Sequence, residues 1–280
     1  MKTFKIGGVH PNDSKISKDC AIEDFPVLEK AYISMAQHLG APAEPIVQKG
    51  DKVKVGQLIA KPTGFVSANI HSSVSGTVAS VEPYADLAGN PVMHVIIDVE
   101  GDEWEESIDR TPDVVREITL SKEEIIKKIQ DCGIVGLGGA SFPTHIKLTP
   151  PPGKVAEYLL INGAECEPFL TSDYRLMLEQ PEQILIGAKI MMKALDVKKC
   201  RFGVEVNKPE AIAKLKTFAS QYPEIEIVPL KKKYPQGGEK QLIEALTGKR
   251  VPSMGLPIDA GAVVQNCATA LAVYEAVQKN

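Results

Sequence analysis

Hydrophobic and polar positions alternate with a period of two in the first third of the chain, and with a helical period later. Residues 48–59 alternate apolar and polar positions between Gly50 and Gly56, and a second unit follows at 70–78. Residues 92–99 continue with β-branched side chains. Short strands at close, turn-marked spacing predict a compact β-sandwich or barrel. Residues 1–40 read as irregular, with one helix expected near 27–32. Residues 101–120 are acidic and turn-rich, and Thr111-Pro112 marks an expected boundary. Beyond it Ser121 and Glu124 form a capping box ahead of Ile125, Ile126 and Ile129, with Gly133 as the stop.

After Pro150-Pro151-Pro152 the pattern alternates between strand and helix. Strands are expected at 155–161, 201–206 and 224–228. Helices are expected at 182–195, 209–218, 240–246 and 263–277. Such alternation predicts a parallel α/β sheet, with ligands gathering at the carboxyl ends of its strands. The expected organisation is a β domain over 1–115 and an α/β domain over 116–280.

Composition narrows the function. The 280 residues carry a net charge of −4, which argues against a general nucleic-acid binder. No apolar run is long enough for a membrane span. The opening residues lack the apolar core of a secretory signal. Five cysteines are scattered without a C-x-x-C, and five histidines without an H-E-x-x-H, so the sequence supports no metal or iron–sulfur site.

Four segments concentrate candidate chemistry. Gly136-Leu137-Gly138-Gly139-Ala140-Ser141-Phe142-Pro143 leads to Lys147, and its glycines permit close backbone approach to a ligand. It is neither a Walker loop nor the G-x-G-x-x-G fingerprint. Asn162-Gly163-Ala164-Glu165-Cys166-Glu167-Pro168 closes an expected strand. Gly237-Gly238-Glu239 opens a helix, and Gln265-Asn266-Cys267-Ala268-Thr269 completes the set. Taken singly, the glycines could be turns, the carboxylates solvated and Lys231-Lys232-Lys233 a solvated loop. Cys166 has no histidine placed to activate it. His71 and His94 read as structural.

Gly50-Asp51 and the later Ser75-Gly76-Thr77-Val78 resemble the half-motifs of biotinyl and lipoyl carrier domains. Pro62-Thr63-Gly64-Phe65-Val66-Ser67 stands where carriers present their modified lysine, so the expectation is an unmodified carrier-like, barrel-sandwich hybrid domain. The four later segments, in order, resemble the flavin-binding subunit of respiratory complex I. With Gly7-Gly8-Val9-His10-Pro11, residues 48–57 and Gly64-Phe65-Val66-Ser67-Ala68, the chain more closely resembles the C subunits of Rnf-type electron transport complexes. The second half would then be a Rossmann-like parallel α/β flavin/nucleotide-binding domain.

That resemblance implies an oxidoreductase subunit of an ion-translocating ferredoxin:NAD+ complex, with FMN and NAD(H) meeting in the α/β domain. It implies that Gly136, Gly138 and Gly139 admit the flavin, and that Lys147 contacts its ring or phosphate. Asn162 and Glu165 would hydrogen-bond the ring, and Phe142 would stack on nucleotide. Glu167 and Glu239 would orient flavin or nicotinamide, with Gly237 in the same lining and Asn266 and Thr269 at the phosphate. Of these, Glu165, Glu167 and Glu239 are the catalytic candidates. The resemblance also implies 4Fe–4S clusters only in a C-terminal region beyond Asn280, other Rnf subunits as partners, and a peripheral place on the cytoplasmic side of the inner membrane. Leu137, Ala164 and Gly238 depart from the complex I pattern. They favour an alternative, a docking or scaffold module with a degenerate flavin site.

Overall fold

Turn-forming glycines cut the first half into short extended pieces that can only bury side chains by stacking as sheets. The computed structural model describes residues 1–86 and 88–280. Among the described residues the first half forms seven strands: β1 (Lys30–Ser34), β2 (Glu44–Pro45), β3 (Lys52–Val53), β4 (Leu58–Lys61), β5 (Ile70–His71), β6 (Gly76–Ala85) and β7 (Pro91–Val99). They make a four-stranded sheet, β1-β7-β6-β3, and a three-stranded sheet, β2-β4-β5. Every pairing among these strands is antiparallel. Ile33, Met35, Val53, Ile59, Val78, Val95 and Ile97 fill the core. Gly76 sits at φ +154, and a Cβ there would collide with the Asp98 carbonyl of β7, so a side chain is excluded at this crossing.

The helix expected at 27–32 does not form. Lys30–Ser34 is β1, paired residue for residue with β7 from Lys30↔Asp98 to Ser34↔His94. Tyr32 and Ile33 favour a pleated, half-buried surface, and the sheet supplies one. At the carrier-like position, Lys61 lies opposite Glu44 at the end of β4. The segment after it is bound down: Ser67 Oγ donates to Ala41 O at 2.8 Å, and Thr63 Oγ1 to Pro42 O at 2.7 Å. His94 is buried, with Nδ1 2.7 Å from Val92 O, and serves the sheet.

The second half contains α1 (Lys122–Asp131), α2 (Thr144–Lys147), β8 (Tyr158–Gly163), α3 (Ser172–Glu179), α4 (Pro181–Leu195), β9 (Cys200–Glu205), α5 (Pro209–Ala219), β10 (Ile225–Leu230), α6 (Glu239–Thr247), a 3-10 turn (Pro257–Ala260), β11 (Ala262–Asn266) and α7 (Cys267–Gln278). The capping box holds: Ser121 N donates to Glu124 Oε2 at 2.7 Å, and Glu124 N to Ser121 Oγ at 3.3 Å. The sheet order is β10-β9-β8-β11, parallel throughout. Leu160, Leu230, Leu242, Ile243, Leu246 and Val264 form the core between this sheet and α6.

Further stretches depart from the sequence expectation. The stretch 263–277, expected as one helix, divides at Asn266 into β11 and α7. Residues 172–179, for which the pattern predicts no element, form helix α3. A strand buried on both faces is a continuous apolar run, and periodicity alone does not separate it from a buried helix.

Packing divides the chain into two units. Residues Met1–Ile22, Val114–Ile126 and Lys147–Glu275 form the α/β unit, and Glu23–Asp113, Lys127–Ile146 and Ala276–Asn280 the β unit. The N-terminal stretch joins the α/β unit through bridges from Lys2 to Leu230 and from Val9 to Tyr234. Within that unit Gly187 of α4 lies directly against α7, and a Cβ would overlap the Ala270 carbonyl. Gly187→Ala should therefore destabilise the unit by about 3 kcal/mol, at the upper end of ordinary overpacking costs. Urea denaturation measures this, and an unchanged midpoint would contradict the close helix contact.

Candidate functional site at a strand-order reversal

The order β10-β9-β8-β11 contains one reversal. From β8 the chain steps outward to β9 and β10, then crosses back to place β11 on the other side of β8. In open α/β sheets the crevice outside the carboxyl ends at such a reversal is where ligands bind. Asn162 and Asn266, the last pair between β8 and β11, lie opposite each other there.

Both asparagines are built into this edge. Asn162 Nδ2 donates to Gly237 O at 2.9 Å, and its Oδ1 accepts Ala164 N–H at 3.2 Å. Asn266 Oδ1 accepts the N–H groups of Ala268 and Thr269 at 2.7 and 3.3 Å. It thereby caps α7, whose N-terminus carries the positive end of a helix dipole toward the edge. Asn266 Nδ2 donates to Asp173 Oδ2 at 2.7 Å. Thr269 is buried in the first turn of α7.

Lys147 completes this face. Its Nζ donates to Glu239 Oε1 at 3.0 Å and to Val264 O of β11 at 2.9 Å. Glu239 is the first residue of α6, behind the Gly237-Gly238 turn. A Cβ on Gly237 would lie 3.4 Å from both Ala164 Cβ and Asn162 Oδ1, so this turn closes against the β8 end. Gly237 N also donates to Cys166 Sγ at 3.3 Å. Burial raises the Cys166 thiol above its ordinary value, which opposes a thiolate nucleophile.

The two acidic residues after β8 part company. Glu167 is exposed, whereas Glu165 turns inward, with a side chain 2% exposed. Glu165 Oε1 accepts Asp173 N–H at 2.7 Å and so holds the start of α3. Its Oε2 is buried without a hydrogen bond, 3.9 Å from Lys15 Nζ. Glu165 adopts φ 47, a left-handed backbone at the strand exit. A pocket of about 160 Å3 opens beside it, lined by Asp13, Lys15, Lys18, Tyr174, Asn207 and Lys208. Motif reading misses Asp173, Lys15, Lys208 and the buried Glu205, because none lies in a recognisable spacing.

Burial raises the Glu165 carboxyl, opposed by Lys208 and Lys15. Burial likewise raises Asp173 and lowers Lys208. A carboxyl that binds its proton more tightly in the folded chain adds stability below its ordinary value of 4.5, and that contribution fades as pH rises through the raised folded value. Glu165→Gln removes this titration. The stability of the Gln variant relative to the parent should therefore increase from below pH 4.5 toward neutrality. Urea midpoints across that range measure it, and a pH-independent difference would contradict the raised carboxyl.

The glycine loop belongs to the β unit. Gly136 N donates to Phe142 O at 2.9 Å, and Val135 bridges Pro143, so the loop is pinned at its base. Residues 137–140 are its exposed tip, and Phe142 is half-buried. Gly136, Gly138 and Gly139 are not among the residues with positive φ. A Cβ at Gly139 would meet nothing within 4 Å, and one at Gly136 would meet only ordinary contacts from 3.6 Å. Neither backbone angle nor packing requires glycine at these two positions. A ligand lying against the loop would require it, and in this respect the loop fits a flat cofactor.

Residues 129–275 match the family model of the Nuo51 FMN-binding domain, and residues 2–102 that of the RnfC barrel sandwich hybrid domain. The C subunit of the proton-translocating ferredoxin:NAD(+) oxidoreductase complex of Clostridium ljungdahlii is 48% identical over 100% of this chain, which covers 60% of that protein. The C subunit of the Na(+)-translocating counterpart from Acetobacterium woodii is 45% identical over 98% of the chain and 62% of that protein. The chain thus spans about three fifths of the length of these relatives. Among solved structures, an NAD+-reducing [NiFe]-hydrogenase in the H2-reduced state shares 26% identity at a TM-score of 0.51, over 61% of this chain and 34% of that one. Among the described residues, no helix is long and apolar enough to cross a membrane, and no cluster of His, Cys, Asp or Glu could hold a metal ion. With a barrel sandwich hybrid domain followed by a Nuo51-type FMN-binding domain, the chain belongs to the RnfC family.

Proposed function

We propose that the chain is the FMN- and NAD(H)-handling part of the C subunit in an ion-translocating ferredoxin:NAD+ oxidoreductase complex. The observation that carries this reading is the convergence of Lys147, Asn162, Gly237, Glu239 and Asn266 at the reversal between β8 and β11. Bound FMN would supply the exchange between hydride and single electrons, which no side chain here can perform. The protein would contribute binding and orientation. Lys147 would hold negative charge on flavin or phosphate, and the positive dipole end of α7, with Asn266 at its cap and Thr269 in its first turn, would favour phosphate. Asn162 and Gly237 would line the ring. Glu167 and Glu239 would orient nicotinamide, while Glu165 would act by fixing the loop that carries Glu167. Gly136, Gly138, Gly139 and Phe142 would cover the flavin and nucleotide. In the full-length protein, 4Fe–4S clusters beyond Asn280 would carry electrons onward. Other Rnf subunits would hold it peripherally on the cytoplasmic side of the membrane.

A second reading, a docking or scaffold module, is favoured by one observation. Lys147 already pairs with Glu239, and both asparagine side chains already serve the protein's own backbone. Titration of FMN into the full-length protein separates the two. Saturable binding that is lost in Asn266→Ala supports the cofactor site. Absence of binding, in the full-length protein and in the assembled complex, supports the scaffold.

A further inference from the structure

The loop that carries Glu167 wraps around a lysine from the start of the chain. Lys15 Nζ donates to Glu165 O at 2.9 Å, Glu167 O at 2.9 Å and Leu170 O at 2.6 Å. An ammonium has three N–H donors, so these carbonyls use its full capacity. The Lys15 side chain is 11% exposed, and Glu165 Oε2 lies 3.9 Å away. The neighbouring residues run along the same loop and helix. Asp13 O accepts Phe169 N–H at 2.9 Å, and Ser17 Oγ meets Thr171 Oγ1 at 2.7 Å. Lys18 O accepts from Arg175 Nη1 at 3.0 Å.

The loop needs such a brace. Glu165 at φ 47 and Phe169 at φ 67 are both left-handed non-glycine residues, a conformation that persists only where surroundings impose it. Several carbonyls turned toward one point repel one another unless a cation sits among them. Lys208 contributes from the other side, donating to Ala164 O at 2.7 Å, but it does not reach Glu167 or Leu170 among its hydrogen bonds. Lys15 lies in the segment matched by the barrel sandwich hybrid model and outside the range matched by the FMN-binding model, yet it packs with the α/β unit.

We propose that Lys15 is a positioning residue. Its ammonium fixes the Glu165–Leu170 backbone and thereby presents Glu167 to the nicotinamide. The presentation of Glu167 to nicotinamide rests on the function proposed above, whereas the bracing of the loop does not.

The test uses the full-length protein with FMN bound, as parent, Lys15→Ala and Glu167→Gln. Three readouts are needed: hydrogen exchange of the 165–171 amides, FMN content, and KM for NADH with an artificial acceptor. In Lys15→Ala we expect faster exchange in that loop, retained FMN and a KM for NADH raised about tenfold, with little change in kcat. Ethylammonium added to this variant should re-enter the carbonyl cage and lower KM toward the parent value. A general loss of structure would not respond to a small cation. Unchanged exchange in 165–171 would overturn the proposal. So would a parental KM in Lys15→Ala alongside a raised KM in Glu167→Gln, or a loss of FMN and loop order that ethylammonium leaves unaltered. If Glu167→Gln is itself silent, the nicotinamide reading fails, and exchange with ethylammonium rescue alone decides whether Lys15 holds the loop.

Discussion

Gly139→Val in the full-length protein should weaken FMN binding about a hundredfold and leave the fold intact. Gly139 is not among the residues with positive φ, is exposed, and has nothing within 4 Å of the place a Cβ would take. An added Cβ therefore meets no protein atom beyond its chain neighbours, and stability should stay within about 0.5 kcal/mol of the parent. A flavin lying against the loop would meet both added methyl groups. The expected loss is about a hundredfold in affinity, equivalent to about 2.8 kcal/mol. Fluorescence titration with FMN and a urea denaturation curve measure the two quantities side by side. Parental FMN affinity in the valine variant would remove the glycine loop from the site.

Lys147→Met should be the second large effect. The aliphatic stem is retained, and the ammonium that touches Glu239 and Val264 O is lost. Glu239 has a side chain 41% exposed and can turn into water, so the pair itself is worth about 0–1 kcal/mol of stability. A charge-assisted contact to flavin or phosphate is worth about 1.5–3 kcal/mol, or one to two decades in affinity. FMN affinity should thus fall by more than stability does. A variant that loses stability while binding FMN normally would assign Lys147 to the protein's own edge, as the scaffold reading requires.

The residues of this edge are legible in the sequence, though their geometry is not. Asn162, Gly237, Glu239 and Asn266 stand out because glycines and polar groups interrupt buried strands. The strand that places Asn266 opposite Asn162 does not stand out, since its apolar part, residues 262–264, is too short for periodicity to separate it from the apolar α7 that follows. The reversal in strand order, which is the physical reason for a crevice, is visible only with β11. Glu165 and Glu167 read as an equivalent pair, and only the turn at φ 47 sends one carboxylate inward and leaves the other exposed. The N-terminal stretch is illegible for a different reason. Its attachment uses isolated bridges and one lysine among backbone carbonyls, which leave no periodic pattern.

Anaerobic addition of NADH to the FMN-reconstituted full-length protein tests the central claim most directly. The oxidised flavin's visible absorbance should bleach on addition, at a rate that saturates with NADH and falls in Glu167→Gln. A protein that binds no FMN, or binds it and shows no bleaching by NADH, would contradict the claim.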